Sequence, residues 1–127
     1  MFSYISKFFI WLGLVMIDAT LKTNLWIRAQ IKICDINFLP AIILRKGDPD
    51  SGAVILKINR LEHGVQVLSQ TRTSESHLAW ISITGDFPVN ESVADKKIEN
   101  QCKIDPDIWV LEIEDPNYNY QMQEPII

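Results

Sequence analysis

The chain has 127 residues, 47 % of them hydrophobic and 22 % charged, with a net charge of −4. That length is one domain's worth, and the composition is that of an ordinary globular protein. Residues 1–46 carry six Lys/Arg against two Asp, while residues 47–127 carry six against fourteen Asp/Glu, an acidic balance that argues against broad electrostatic binding of nucleic acid.

Residues 1–20 stand apart. Phe8 to Ile17 is an apolar run behind the single Lys7, shorter than the roughly 20 residues a membrane-spanning helix needs. It resembles a signal-peptide core but lacks a small-x-small cleavage site. A weak signal or anchor, a helix packed on the domain, and a start assigned too far upstream (Met16 being the alternative) all fit; a loosely attached or artefactual extension is favoured. Residues 21–127 are then the single domain, expected in the cytoplasm, with membrane contact only if the extension is a true anchor.

A first helix is expected over about Asn24 to Asn37, capped by Thr20 or Thr23 and stopped by Pro40. Ile27, Ile31, Cys34 and Phe38 form one apolar stripe, and Leu25, Ala29, Ile33 and Ile36 a second, which predicts a helix sandwiched between two layers. Ala41–Leu44 and Ala53–Ile58 are short β-branched runs that read as strands. Between them lies the octet Arg45-Lys46-Gly47-Asp48-Pro49-Asp50-Ser51-Gly52. It is turn chemistry: Pro49 fixes φ, Asp and Ser side chains bond nearby amides, and the glycines tolerate positive φ. The expectation is a hairpin loop, its charges either solvated or turned to a ligand, Arg45 and Lys46 toward an anion and Asp48 or Asp50 toward a cation.

Two motifs can be tested on the octet and both fail. Counting an EF-hand from Asp48 puts Gly52 at position 5, Ala53 at 6 and Asn59 at 12, where a ligand oxygen, glycine and glutamate belong. No G-x-x-x-x-G-K-[ST] phosphate loop is present. A turn at Asn59–Gly64 leads to a third strand over Val65–Ser69, a polar loop over Thr71–Ser76, and a fourth strand over Leu78–Ile83. Asn90 caps a second helix over about Glu91 to Ile104, with acids at its start and Lys103 near its end, as the macrodipole favours. Ile108 to Asp115 alternates, Trp109, Leu111 and Ile113 on one face and Ile108, Val110, Glu112 and Glu114 on the other.

The fold expected is a single α+β domain, a four- to five-stranded mainly antiparallel sheet with two helices on one face, in the order α-β-β-β-β-α-β. The core is expected to contain Leu25, Ala29, Ile33, Ile43, Val54, Leu56, Ile81, Ile98, Trp109, Leu111 and Ile113. Cys34 and Cys102 lie among apolar neighbours with no metal-ligand spacing, as buried free thiols would. His63 and His77 read as surface groups.

Several stretches together resemble one family. Leu21-Lys22-Thr23-Asn24-Leu25-Trp26, Arg45 through Val54, Asp105 through Asp115, and Glu124-Pro125 look like the small bacterial proteins grouped as domain of unknown function 1491. The resemblance spans about residues 21 to 125 and implies a cytoplasmic single domain with no assigned activity, so no catalytic residue carries over. The chain departs from the family pattern at Asn24, where an acid is expected, and in a less basic first helix.

Two constellations remain. Glu112 and Glu114, about 6.6–6.8 Å apart along a strand, share a face that either holds a divalent cation or forms the solvated side of an edge. Trp80, with Arg60 or Arg45 beside it, would serve as a stacking platform if exposed and as core if not. The leading expectation is a non-enzymatic interaction or small-ligand module, using no cofactor, with an unidentified protein or small molecule as partner. The alternative is a metal-assisted hydrolase or nuclease built from Asp48, Asp50, Glu112 and Glu114. It requires the octet and the Glu112/Glu114 face to meet within about 10 Å.

Overall fold

The computed structural model describes residues 22–127, so the expectations for residues 1–20 lie outside the described residues. The elements are α1 (Thr23–Ile36), β1 (Ala41–Arg45), β2 (Val54–Asn59), a 3-10 turn (Leu61–His63), β3 (Val65–Arg72), β4 (Leu78–Ser82), α2 (Glu91–Ile104) and β5 (Trp109–Glu114). They form one five-stranded sheet in the order β1-β5-β2-β3-β4. Three neighbouring pairs are antiparallel, and β2 with β5 is parallel. The α+β class and the mainly antiparallel character agree with the expectation from sequence.

The octet is not a hairpin loop. β5 inserts between β1 and β2, so the loop arcs over the start of β5 instead of joining neighbours. Asp48 N–H donates to the Asp107 carbonyl at 3.0 Å, and Trp109 Nε1–H donates to the Asp48 carbonyl at 2.7 Å. Gly47 and Gly52 are there for close approach, because a Cβ on either would collide with the Asp107 carbonyl. Neither has the positive φ that the turn chemistry suggested. A strand whose Trp109 comes 61 residues after Asp48 leaves no local signal in the octet.

The helices pack on opposite faces, not on one. Along β2, Val54, Leu56 and Ile58 join Trp26, Ile27 and Cys34 of α1, with Leu68, Trp80, Trp109, Leu111 and Ile113. Ile55 points the other way, to Val65, Val67, Ile108 and Val110 under Ala94 and Ile98 of α2. The central strands therefore read apolar on both sides, as strands covered by helices do. The near-continuous apolar run Val54–Ile58 is the mark in the sequence of a strand covered on both faces.

α1 buries one face, made by Trp26, Ile27, Ala29, Gln30, Ile33 and Cys34, not two stripes. Leu25 is half-buried and Phe38 is 93 % exposed. Thr23 is not the N-cap. It is the first helical residue, and its hydroxyl donates to the Gly52 carbonyl at 2.6 Å, while Lys22 in the cap position supplies no side-chain bond. The Asn90 cap is as expected, accepting from Val93 N–H at 3.0 Å. β3 runs to Arg72, past the loop expected from Thr71, because Gln70, Thr71 and Arg72 pair with Trp80, Ala79 and Leu78. Ile81, expected in the core, is 44 % exposed, since Trp80 takes the covered face.

The chain after β5 folds back along α1 to the far edge. Trp80 N–H donates to the Pro125 carbonyl at 2.9 Å, and Ile127 N–H to the Trp80 carbonyl at 2.8 Å, so residues 125–127 cover part of the outer edge of β4.

Candidate functional site

The octet ties three elements into one knot. Asn24 N–H donates to the Pro49 carbonyl at 3.0 Å, Thr23 bonds Gly52, and Asp48 bonds Asp107 and Trp109. The Asp48 carboxylate accepts from Ser51 N–H at 2.8 Å, Ser51 Oγ–H at 2.9 Å and Asp50 N–H at 3.2 Å. These bonds, led by the Ser51 amide, hold its pKa below the ordinary carboxylate value. Asp48 is thus an internal cap of its own loop. Asp50 is exposed and lies 3.6 Å from Lys22 Nζ. Arg45 Nη2 donates to the Pro106 carbonyl at 2.9 Å, and Lys46 is exposed with no ion pair among the described residues.

Beside the knot opens a cleft of about 370 Å³. The first turn of α1 (Thr23, Trp26), the end of the octet with the start of β2 (Asp50 to Val54), the end of β3 (Gln70, Thr71, Arg72) and Leu78 line it. Trp26, Val54 and Leu78 give apolar walls. The polar lining comes from Arg72, Ser51, Asp50 and the first turn of α1, which has neither an acidic residue nor a side-chain cap. The Asn24 N–H of that turn is taken by the Pro49 carbonyl, so what the helix N-terminus adds to the cleft is its partial positive charge. Arg72 donates to the Ser76 carbonyl at 2.8 Å through Nη1 alone, which leaves other guanidinium donors for a bound group.

The remaining expected site residues fall elsewhere. Trp80 is fully buried, tilted against Trp26 with ring centroids 5.7 Å apart, so it is core and not a stacking platform. Among the described residues its Nε1–H makes no hydrogen bond of good geometry. The Glu124 carboxylate still lies close enough to both indoles for their N–H dipoles to favour its charge, although burial is the larger effect and raises its pKa. Arg60 is engaged within the fold. Its guanidinium bonds the Asp115 carbonyl at 2.9 Å and the fully buried Asp115 carboxylate at 3.3 Å, and stacks 3.7 Å above Tyr118. Asp115 also accepts from Asn119 and Tyr120 N–H, so the pair clasps the C-terminal segment.

Glu112 belongs to a cluster that sequence reasoning missed. Lys57, 3 % exposed on the α2 face, sets its Nζ 2.8 Å from Glu91, 2.8 Å from Asp95 and 3.6 Å from Glu112. Asn59 Nδ2–H donates to Glu112 at 3.0 Å. Burial alone would lower the lysine pKa, but hydrogen bonds to Asp95 and Glu91 and the Glu112 charge outweigh it, and the net shift is upward. The signal was a lone lysine inside Val54–Ile58, which a covered strand tolerates only with carboxylate partners. Glu114 is half-buried and forms no ion pair among the described residues.

The octet acids and the Glu112/Glu114 pair are therefore not brought together. Asp48 lies at the start of β5 on the α1 side, bonded to Trp109, while Glu112 lies three residues further on the α2 side. Among the described residues, no group of three or more His, Cys, Asp and Glu could hold a metal ion, and no helix is long and apolar enough to cross a membrane. Cys34 is buried and its thiol is pushed up to about 12, by burial first and the Asp115 charge second; Cys102 is half-buried, and both are free.

A family model described as "Protein of unknown function (DUF1491)" matches residues 21–123. A crystal structure of a DUF1491 family protein from Caulobacter crescentus CB15 is 31 % identical with a TM-score of 0.75, covering 85 % of this chain and 100 % of that one. An NMR structure of a DUF1491 family protein from the same organism is 31 % identical with a TM-score of 0.73, covering 84 % and 96 %. Protein Atu0922 from A. tumefaciens shares the fold at 18 % identity and a TM-score of 0.64, covering 75 % of this chain and 86 % of that one. No curated protein matches the chain.

Proposed function

The chain belongs to the DUF1491 family, and on that premise we propose that the domain is a non-enzymatic binding module whose cleft beside the octet takes a small ligand with an anionic group. The observation that carries this reading is the convergence of Arg72, the uncapped first turn of α1 and the apolar wall of Trp26, Val54 and Leu78 on one concavity. Its volume of about 370 Å³ lies in the range of small-molecule sites, which combine an apolar lining with a few placed polar groups. The stretches that resemble the family also meet here: Thr23, Trp26 and Asp50 to Val54 line the cleft, Asp107 and Trp109 hold the octet, and Glu124 lies near Trp26. The anion-binding role expected for Arg45 and Lys46 passes in this reading to Arg72. A metal-assisted hydrolase from Asp48, Asp50, Glu112 and Glu114 draws no support from their placement at opposite ends and faces of β5.

Amide chemical-shift titration tests the reading, with inorganic phosphate, benzoate and phenyl phosphate as probes. Expected are shifts confined to Thr23–Trp26, Gly52–Val54, Gln70–Arg72 and Leu78, lost in Arg72→Ala. Shifts elsewhere, or none with any probe at millimolar concentration, overturn it.

A further inference from the structure

The two edges of the sheet are treated differently. Residues 125–127 of the chain itself cover β4, but nothing among the described residues pairs with the outer edge of β1. Glu114 N–H donates to the Pro40 carbonyl, and Ala41, Ile42 and Ile43 face Ile113, Glu112 and Leu111. In an antiparallel ladder hydrogen-bonded pairs alternate. Ile42 therefore exchanges its bonds with β5, whereas Ala41 and Ile43 turn their N–H and C=O groups out of the sheet. The bulge at Leu44 lies beyond these two residues.

This edge also carries apolar surface. Ile42 is 58 % exposed and Leu44 48 % exposed, and Phe38, just ahead of the strand, is 93 % exposed. α2 packs over β2 and β3, not over β1. Charge is polarised along the same edge: Arg45 and Lys46 stand at its end, while Glu112 and Glu114 of β5 flank its beginning.

We propose that β1 pairs antiparallel with β1 of a second copy about a two-fold axis at Ile42, joining two sheets into one. In this register Ala41 of each copy exchanges both backbone bonds with Ile43 of the other, so all four outward residues are used. Ile42 meets its own counterpart as a non-hydrogen-bonded pair, where side chains approach most closely. Leu44 lies against Pro40 of the second copy. Past the bulge, Lys46 comes toward the beginning of the second copy's strand, where the exposed Phe38 stands. The basic end of each strand then lies beside the Glu112/Glu114 end of the other copy's β5, and no like charges face each other. Twofold symmetry makes each contact occur twice, as in an isologous interface. A five-residue edge buries less area than a permanent dimer does, so the association depends on concentration.

Sedimentation equilibrium of the full chain over a wide concentration range tests this. The wild-type mass should rise from one chain toward two. Ile42→Lys, which sets two lysines face to face on an exposed position, should weaken the dimer at least tenfold while the dilute protein keeps its melting temperature. Lys46→Glu and Glu114→Lys should each weaken it, and the two together should restore it. A wild-type chain that stays monomeric at the highest concentration overturns the proposal, and so does association that Ile42→Lys leaves intact. Phosphate or benzoate binding in the cleft is unaffected by either result.

Discussion

Replacing Lys57 by Met tests whether the buried cluster holds α2 on the sheet. The ammonium is 4 % exposed in its side chain, but Glu91 and Asp95 are 56 % and 55 % exposed, and only Glu112, at 19 %, is largely shielded. Truncating one partner of a fully buried pair costs about 3–5 kcal/mol, whereas pairs between exposed groups are worth about 0–1 kcal/mol. With two half-solvated partners and one shielded partner, the expected loss is about 1–3 kcal/mol. Methionine fills the space of the lysine stem, so the loss reports charge and not a cavity. Because the folded-state pKa of Lys57 is raised, its contribution is fully present below the ordinary lysine value of about 10.4 and is lost as pH rises through the higher folded-state value. Urea denaturation of both proteins between neutral pH and about pH 10 should therefore show a constant deficit, which closes only at still more alkaline pH. A Met variant as stable as the wild type at neutral pH would refute the reasoning, since desolvation of the lysine would then cancel its three pairings.

Four further outcomes follow from the same geometry. Gly52→Val should destabilise by about 1–3 kcal/mol, as overpacking does, because the new Cβ meets the Asp107 carbonyl; an unchanged urea midpoint would show that the octet is not seated on β5. Arg45→Ala with Lys46→Ala, both exposed, should stay within about 0.5 kcal/mol of the wild type by thermal melting. Asp115→Ala leaves the Asn119 and Tyr120 amides without their acceptor and Arg60 with the Asp115 backbone carbonyl alone; it should cost about 3 kcal/mol and raise amide exchange across residues 116–127. Glu124→Gln should raise the melting temperature at pH 7, because burial disfavours the charged carboxyl in the fold. That penalty sets in as pH rises above the ordinary glutamate value of about 4.3, so the gain should vanish in more acidic solution.

Local chemistry was legible in the chain wherever it acts over a few residues. The Asn90 cap, the alternation of Trp109, Leu111 and Ile113, and the stop at Pro40 each placed an element within a residue or two, because capping, pleat and proline sterics are short-range. The residue pattern of the octet likewise marked the stretch that borders the cleft. What the tertiary structure decided was adjacency. Nothing in Ala41–Ile58 announces that β5 will separate β1 from β2, since an insertion of that kind depends on burying both faces of the central strands and not on the loop that spans them. The same decision reassigned the glycines from positive φ to close packing and turned Trp80 inward. It also made Arg60 a clasp for Asp115 and surrounded Lys57 with carboxylates from two other elements. Arg72 and the first turn of α1 lie nearly 50 residues apart in the chain, and only long-range burial brings them to one cleft.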